Sequence, residues 1–551
     1  MKKLISYIIG SVLLVAGSTS CSKDYMELRP ESSTTADVLF TNEETAQYAV
    51  NGLGKLMQTQ YWSSQGFNGE GTVMLYGVEM AGMTAGLPSN TGWSNTMCFN
   101  YYNSGTSNQM VFPWYYYYKL IGNANIIIQE LSATKDACEA AGTPFSKGYQ
   151  YVLAQALCYR AYSYLRMSQF YCRRWSDKNG AQRGLPLRLD TSNDPLAAST
   201  LADVYKQIYD DLDDAIAYFT ESGMSSSQTW KASLETAHAI YSRAALNRED
   251  WETCVKHSQL ARKGHDLMGN AEYHAGFYQP NKEWIWEAFQ DATQNIYYYS
   301  YHAYCASNAN TSYCRSYSWI IDRLLYESIP EEDTRRDLFM APTEEELEVA
   351  GSANTNYQEV TVKKNDVYYN RIWKDYADKL VKSGSSVSKL FYYSQAKVRI
   401  EQGAAYGVGE ICLFRSAEMY YNEAEAQFKL SNEAAARTAL EKAVKPYNAK
   451  YSAADLKGQA LWDEIVKYRR YDLFLEGHSF LDEKRWNIDH DWRKSWSEGG
   501  NWSTALTQVG GGSFKKDEKN NWCIIYPKIE TTYNDQVTPF EPEDWQPVPK
   551  N

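Results

Sequence analysis

Apolar residues recur at helical spacing through much of this chain. Two long segments interrupt them, and in these the period is lost. Ala46, Ala49, Val50 and Leu53 lie three or four residues apart and predict a helix from Thr45 to about Gln60. Between Trp114 and Leu131 the same stripe is formed by Tyr117, Leu120, Ile121, Ala124, Ile127 and Ile128. From Ser146 to Phe170 it is formed by Ala154, Leu157, Ala161 and Leu165. Gly184 and Pro186 then break the pattern. Thr200 is placed to cap a helix running to Phe219, with Asp203 in its first turn. Asp210, Asp211, Asp213 and Asp214 are expected on the solvated side of that helix. Their spacing lacks the glycine turn and closing glutamate of an EF-hand loop.

Ala237 to Leu246 and Trp251 to Arg262 predict two helices joined by a tight turn through Asn247 to Asp250. Ala237, Ala244 and Ala261 permit close backbone approach, and Trp251 is placed to fill the gap between the two. Tetratricopeptide-like helix pairs pack in this way. Two further pairs fit the pattern, 146–170 with 200–219 and 409–429 with 432–446. Their spacing is irregular, so the repeat is degenerate. The expected fold is therefore mainly α, built of tetratricopeptide-like helix pairs with long irregular loops.

The two interruptions carry the aromatic residues. Tyr61 to Asn108 is rich in Gly, Asn, Ser and Thr, with Trp62, Trp93, Tyr101 and Tyr102 interleaved. It is expected to be a long irregular excursion. Long loops inside compact domains are usually functional or disordered, and aromatics argue against disorder. From Tyr273 to Ser318 the helical period is lost again, and seven tyrosines between Tyr297 and Tyr317, including Tyr297, Tyr301 and Tyr313, crowd into loop-like sequence. A helix is expected to start near Trp319 and to carry Ile320, Ile321, Leu324 and Leu325. Glu344, Glu345, Glu346 and Glu348 suggest a solvated helix face. Gly351 to Gly407 mixes Gly, Ser and Tyr and suggests short strands or loops.

Composition sharpens this picture in two places. The chain holds 46 Tyr, 17 Trp and 17 Phe. Tyr and Trp join a flat apolar body to a polar tip and suit a partly wet binding surface, although many such residues serve as core. Lys and Arg total 55 against 67 Asp and Glu, a net charge of −12. No basic stripe offsets that charge, so nucleic acid is not an expected partner. The chain has no H-E-x-x-H, no G-x-S-x-G and no glycine-rich phosphate loop. Paired carboxylates for glycoside hydrolysis are not marked by any motif. Its seven histidines show no clustered ligand spacing, so neither a metal nor another cofactor is expected.

The first twenty residues have the layout of a secretory signal peptide. Lys2 and Lys3 open it, an apolar run from Leu4 to Ala16 follows, and Gly17, Ser18, Thr19 and Ser20 lead into Cys21. That run is too short to span a bilayer, and no later stretch reaches about 18 consecutive apolar residues. A cysteine directly after small residues looks like a bacterial lipobox, which makes Cys21 the lipidated first residue of the mature protein. Ser18 departs from the usual Leu or Val, and the alternative is ordinary cleavage beside a chance cysteine. Residues 21–551 are then expected to form one large domain. Cys158, Cys254 and Cys412 lie in helical apolar patterns and are expected to be small buried residues. Cys305 and Cys314 flank an aromatic segment. A disulfide between them would require their Cα atoms to lie within about 7 Å.

Six motifs, taken in order, resemble one family. The segment 114–128 (WYYYYKLIGNANIII) resembles the Trp-x3-Tyr…Ala-Asn-x-Ile-Ile helix of the SusD/RagB family of outer-membrane nutrient-binding lipoproteins. The segment 154–165 (AQALCYRAYSYL) resembles its Ala-rich helix, with Arg160 and Ala161 at the Arg-Ala step. The segment 412–444 resembles its tyrosine-rich Arg-x2-Glu-x4-Glu-Ala-Glu-Ala stretch. The segment 468–486 (YRRYDLFLEGHSFLDEKRW) is similar to its late Glu-Gly…Asp-x2-Arg-Trp stretch. IYPKIETTYNDQVTPFE resembles its closing Pro-x2-Glu…Asn…Asn stretch, and VLFTNEETAQYAVNGL its early helix. The departures are Asp535 for Asn, His478 for Arg and Tyr471 for Glu. The resemblance implies a mostly helical surface lipoprotein of the outer membrane, held there by its N-terminal lipid. It implies a SusC-like TonB-dependent β-barrel transporter as partner, glycans as the usual cargo, and no hydrolysis of that cargo.

A sugar ring needs a flat aromatic for its C–H face and amide, acid or guanidinium groups for its hydroxyls. Loops are free to supply that pairing, because helical faces are committed to packing. Trp93 lies within PSNTGWSNT, ringed by Asn90 and Asn95. Its position in the first excursion is similar to that of a glycan-stacking Trp in starch-binding members. In the second excursion the candidates are Tyr301, Tyr313, Arg315 and Trp319, with Asn308 and Asn310 beside them. Core packing is the competing expectation for each aromatic, and for Trp319 the start of a helix. Arg415, Glu418, Glu423, Glu425, Arg485 and Trp486 are expected to join helices through ion pairs and hydrogen bonds. A peptide or another nutrient as ligand, a glycoside hydrolase and a pure protein scaffold are the alternative functions.

Overall fold

The computed structural model describes residues 36–62, 67–87, 105–290, 300–309, 319–339, 359–361, 389–391, 393–401, 404, 407–488, 490–491, 513–514 and 523–539. Ten helices carry the architecture in these residues: α1 (Glu43–Leu56), α2 (Asn108–Ala141), α3 (Lys147–Tyr171), α4 (Leu201–Ser222), α5 (Leu234–Asn247), α6 (Trp251–Ala261), α7 (Ser416–Lys429), α8 (Glu433–Val444), α9 (Gly458–Asp472) and α10 (Ser479–Trp486). Their starts are set locally. The Asn42 side chain accepts the Thr45 N–H before α1, and Ser146 accepts that of Tyr149 before α3. Thr200 and Asp203 form a reciprocal capping box at α4, as their spacing predicts. Gly142, with φ +68°, supplies the left-handed turn that ends α2.

The three expected pairs form. α3 packs on α4, α5 on α6 and α7 on α8, and α6 also packs on α7, so the pairs stack. α3 lies at the centre, with most of its 25 residues buried. One solvated-face expectation fails here. Asp211 is buried, because Arg160 on α3 grips it with Nε and Nη2 at 2.9 and 2.6 Å. The Nη1 of Arg160 donates to Asn125 on α2 at 3.0 Å. One guanidinium therefore ties three helices together.

Other departures come from short, fully buried elements. Residues 409–415 were expected to be helical, but Ile411–Arg415 forms strand β4. It pairs antiparallel with β2 (Trp284–Ala288), inside the second supposed loop. All ten of these residues are buried, and a short, largely apolar run of five reads alike as strand or helix. Ile320 and Ile321 form strand β3, paired with β1 (Ala85–Gly86). The helix after them begins only at Arg323, with Asp322 as its cap. Residues 67–87, expected as excursion, are almost wholly buried and contain a π-helical turn, Val73–Glu79. Glu79 Oε1 accepts the N–H groups of Gly477 and His478 at 2.8 and 2.9 Å, which pins this turn to the start of α10. Gly82 rests against Ser479 so closely that a Cβ there would fall 2.0 Å from its Oγ.

Buried charges join the helical pairs to the irregular half. Arg415 donates to Glu283 (2.9 Å), Asp472 (2.8 Å) and Glu476 (2.7 Å). Arg335 is held by Asp333 and lies 3.2 Å from Asp472. Lys397 donates to the carbonyls of Asp472 and Phe474 and to Glu476. Tyr421 on α7 donates to Asp472 at 2.9 Å.

Burial alone would raise the Asp472 pKa. Arg415, Arg335 and Lys397 outweigh it and hold the carboxyl down at about 2. The folded-state value thus lies below the ordinary 3.8. Its contribution to stability is complete above that ordinary value and is lost as pH falls from about 4 through about 2. Asp472→Asn is expected to cost about 3–5 kcal/mol at pH 7, because it leaves buried cations uncompensated. Urea titrations across pH should also show a flatter acid limb for the variant. An unchanged limb would remove Asp472 from this role.

Candidate functional site

The helical acids and bases are consumed in cross-links between helices, as expected. Arg243 on α5 makes a bidentate bond to Glu418 on α7, 2.7 Å on each arm. Arg262 pairs with Glu423, which also accepts from Gln259. Glu425 accepts from the Arg485 guanidinium and from Trp486 Nε1 at 3.1 Å, while Arg485 also reaches Asp482. Arg469 bonds Asp482 and Asn422. None of these carboxylates is left as a free base for chemistry.

The second excursion is only partly a loop. Tyr301 and Trp319, expected as ligand contacts, are core residues at 5% and 2% exposure. Tyr301 lies in a short helix, Tyr301–Cys305, and its hydroxyl donates to the Leu475 carbonyl at 2.8 Å. Trp319 Nε1 donates to the Tyr304 carbonyl at 3.2 Å, and its ring lies 6.2 Å from that of Tyr76. The polar tips that would suit them to a sugar are spent on backbone instead. Asn308 is likewise committed. Its side chain donates to Ile400 O and accepts from Ile400 N. Cys158, Cys254, Cys305 and Cys412 are buried. Trp93, Asn90, Asn95, Asn310, Tyr313, Cys314 and Arg315 lie outside the described residues, as does Cys21.

The described residues fix where the remaining candidates begin. Ala85 pairs with Ile321 and Gly86 with Ile320. Leu87 leads into the segment with Trp93 and Asn95, and Trp319 closes the segment with Tyr313 and Arg315. Both candidate segments are therefore rooted on one antiparallel strand pair, although more than 200 residues separate them in sequence. Residue spacing gave no signal of this, because each strand is only two residues long.

Three titratable sites were not anticipated from sequence. His238 and His257 face each other across α5 and α6 with Nδ1 atoms 3.0 Å apart. Burial is the main cause that lowers them to about 4 and about 3. Glu79 is raised to about 7 by burial, against the backbone N–H groups it accepts. On β2, Glu287 is raised to about 8 by burial and by Glu410, itself raised by burial to about 7. Raised carboxylates suit general-acid chemistry. Glu287, however, is a buried side chain at 3% exposure. Among the described residues, no group of three or more His, Cys, Asp or Glu could hold a metal ion, and no helix is long and apolar enough to cross a membrane.

A family model described as starch-binding associating with outer membrane matches residues 24–246, and the model of the SusD family matches residues 270–551. The chain belongs to the SusD/RagB family. Solved structures share its fold. A SusD-like carbohydrate binding protein from Bacteroides vulgatus ATCC 8482 is 21% identical, over 90% of this chain and 98% of that one, with a TM-score of 0.68. A SusD superfamily protein from Bacteroides thetaiotaomicron VPI-5482 is 18% identical, over 90% and 99%, with a TM-score of 0.69. One from Bacteroides fragilis is 17% identical, over 91% and 99%, with a TM-score of 0.65. A search of curated proteins gave no significant match.

The core placement of the two aromatics has a direct consequence. Trp319→Ala should lower the unfolding free energy by about 3–5 kcal/mol through the cavity it leaves. Tyr301→Phe should cost about 1 kcal/mol, the net worth of one hydrogen bond. Chemical denaturation checks both values. Near-zero effects would place these rings on the surface.

Proposed function

We propose that this chain is a surface lipoprotein, anchored at Cys21, that binds a glycan and delivers it to a SusC-like TonB-dependent transporter in the outer membrane. The observation that carries the reading is the shared root of two aromatic and amide-rich segments on β1 and β3. A sugar chain needs several small contacts brought together from separate loops, and a common root provides that. Trp93 supplies the stacking face, with Asn95 beside it, and Tyr313 and Arg315 complete the contact from the second segment. The description of the family as starch-binding and associating with the outer membrane supports the reading, as does the carbohydrate-binding relative from Bacteroides vulgatus. The chain acts without catalysis in this reading, because its helical carboxylates are engaged in cross-links.

The test is a binding screen of the chain lacking residues 1–21 against a panel of polysaccharides, with Trp93→Ala in parallel. Wild type should bind one glycan class. The variant should bind it roughly 30-fold more weakly, the effect of removing an anchor worth about 2 kcal/mol, with an unchanged unfolding midpoint. Binding of peptides in place of every glycan would move the ligand to another nutrient class. Full affinity in Trp93→Ala would remove that residue from the site.

A further inference from the structure

A cavity of about 20 Å³ lies between the C-terminal end of α3 and helix α10. It has room for one or two water-sized atoms. Four cations line it, Arg173, Arg174, Lys484 and Arg485, against one carboxylate, Glu249. Arg173, Arg174 and Arg485 are each engaged by other groups. Arg174 pairs with Asp177, and Arg485 with Glu425 and Asp482.

Lys484 is different. It is 4% exposed, and its Nζ donates to the carbonyls of Gln169 and Cys172 at 2.6 Å each. An ammonium has three protons, so one remains. Among the described residues no carboxylate lies within 4.0 Å of this nitrogen. The C-terminal end of α3 offsets its charge only in part, since a helix end carries about half a unit. Beside it the Arg485 side chain is 6% exposed, and its Nε has no acceptor among the described residues. Among the described residues, two residues that line this cavity thus hold buried donors without acceptors, and one of them, Lys484, is a cation without a counter-charge. Burying charge this way is unfavourable unless an anion answers it. At the cavity wall Trp175 meets Tyr205 edge to face, with centroids 5.7 Å apart, and adds an apolar surface.

We propose that this cavity is an oxyanion site that takes a carboxylate group, answered by Lys484 Nζ and Arg485 Nε. The cavity is too small for more than the acid group, so the remainder of the ligand lies outside it. A sugar acid and an acidic side chain present the same group. This site uses none of the residues of the Trp93 reading, and its failure would leave that reading untouched.

The experiment is isothermal titration of the chain lacking residues 1–21 with sodium glucuronate, with its neutral amide and with sodium acetate, at fixed ionic strength. A carboxylate should bind saturably at one site, and Lys484→Gln should weaken it at least about tenfold, as loss of a charged hydrogen-bond partner does. Lys484 also secures the end of α3, so Arg173→Ser, at a half-buried position, provides a second variant. It should weaken binding several-fold with no change in unfolding midpoint. Glucuronate binding more tightly than acetate supports a sugar acid as the source. Equal binding supports the bare acid group of a side chain. No saturable binding of either carboxylate overturns the proposal, as does binding that neither variant alters.

Discussion

Asp472, at the end of α9, is where the two halves of this structure meet. Its carboxylate lies against Arg415 from the start of α7 and Arg335 from a short turn, and its carbonyl accepts from Lys397. Arg415 in turn reaches Glu283, just before β2. No member of this set is stable in the interior alone, because a buried charge without its partner is strongly unfavourable. These contacts therefore couple the stability of the helical pairs to that of the irregular segments. Arg160 with Asp211, and Arg243 with Glu418, repeat the same device between neighbouring helices. Interhelical charge is the connecting element of this fold as much as apolar packing is.

This arrangement explains how function is divided along the chain. Helical faces are occupied with one another, through small residues such as Ala237, Ala244 and Ala261 and through the buried pairs. The proposed recognition therefore rests on the segments that continue from β1 and lead into β3. The strand pair β1–β3 brings two such segments to one place, while the π-helical turn before β1 is held by Glu79 against the start of α10. Solved structures 15–21% identical to this chain share its fold.

Helices α1 to α8 were legible because each carries its own signals, whereas α9 and α10 were covered only by the family motif at 468–486. The stripe of α2, the capping box at Thr200 and the turn between α5 and α6 are all local. Elements whose identity depends on distant partners were not legible. β2 and β4 are five-residue buried runs, and their pairing joins residues more than 120 apart. Asp211 reads as one of four exposed acids until Arg160 from another helix meets it. Tyr301 and Trp319 stand in sequence that looks like a binding loop, yet their polar tips bond to backbone that only the fold brings near. The roles of Glu418, Glu423 and Glu425 were legible, because helical spacing and family resemblance both placed them between helices, whereas Arg415 forms the expected ion pairs from the end of a strand.

The most direct measurement for the central claim, capture without turnover, is the chain length of a bound glycan after prolonged contact with the protein. The chain lacking residues 1–21 is incubated with a polysaccharide it retains. The bound material is then released by denaturation and sized by mass spectrometry or chromatography. The account predicts a saturable complex whose glycan is recovered at its original length, with no new reducing ends. Shortened products that appear in proportion to protein and time would contradict it.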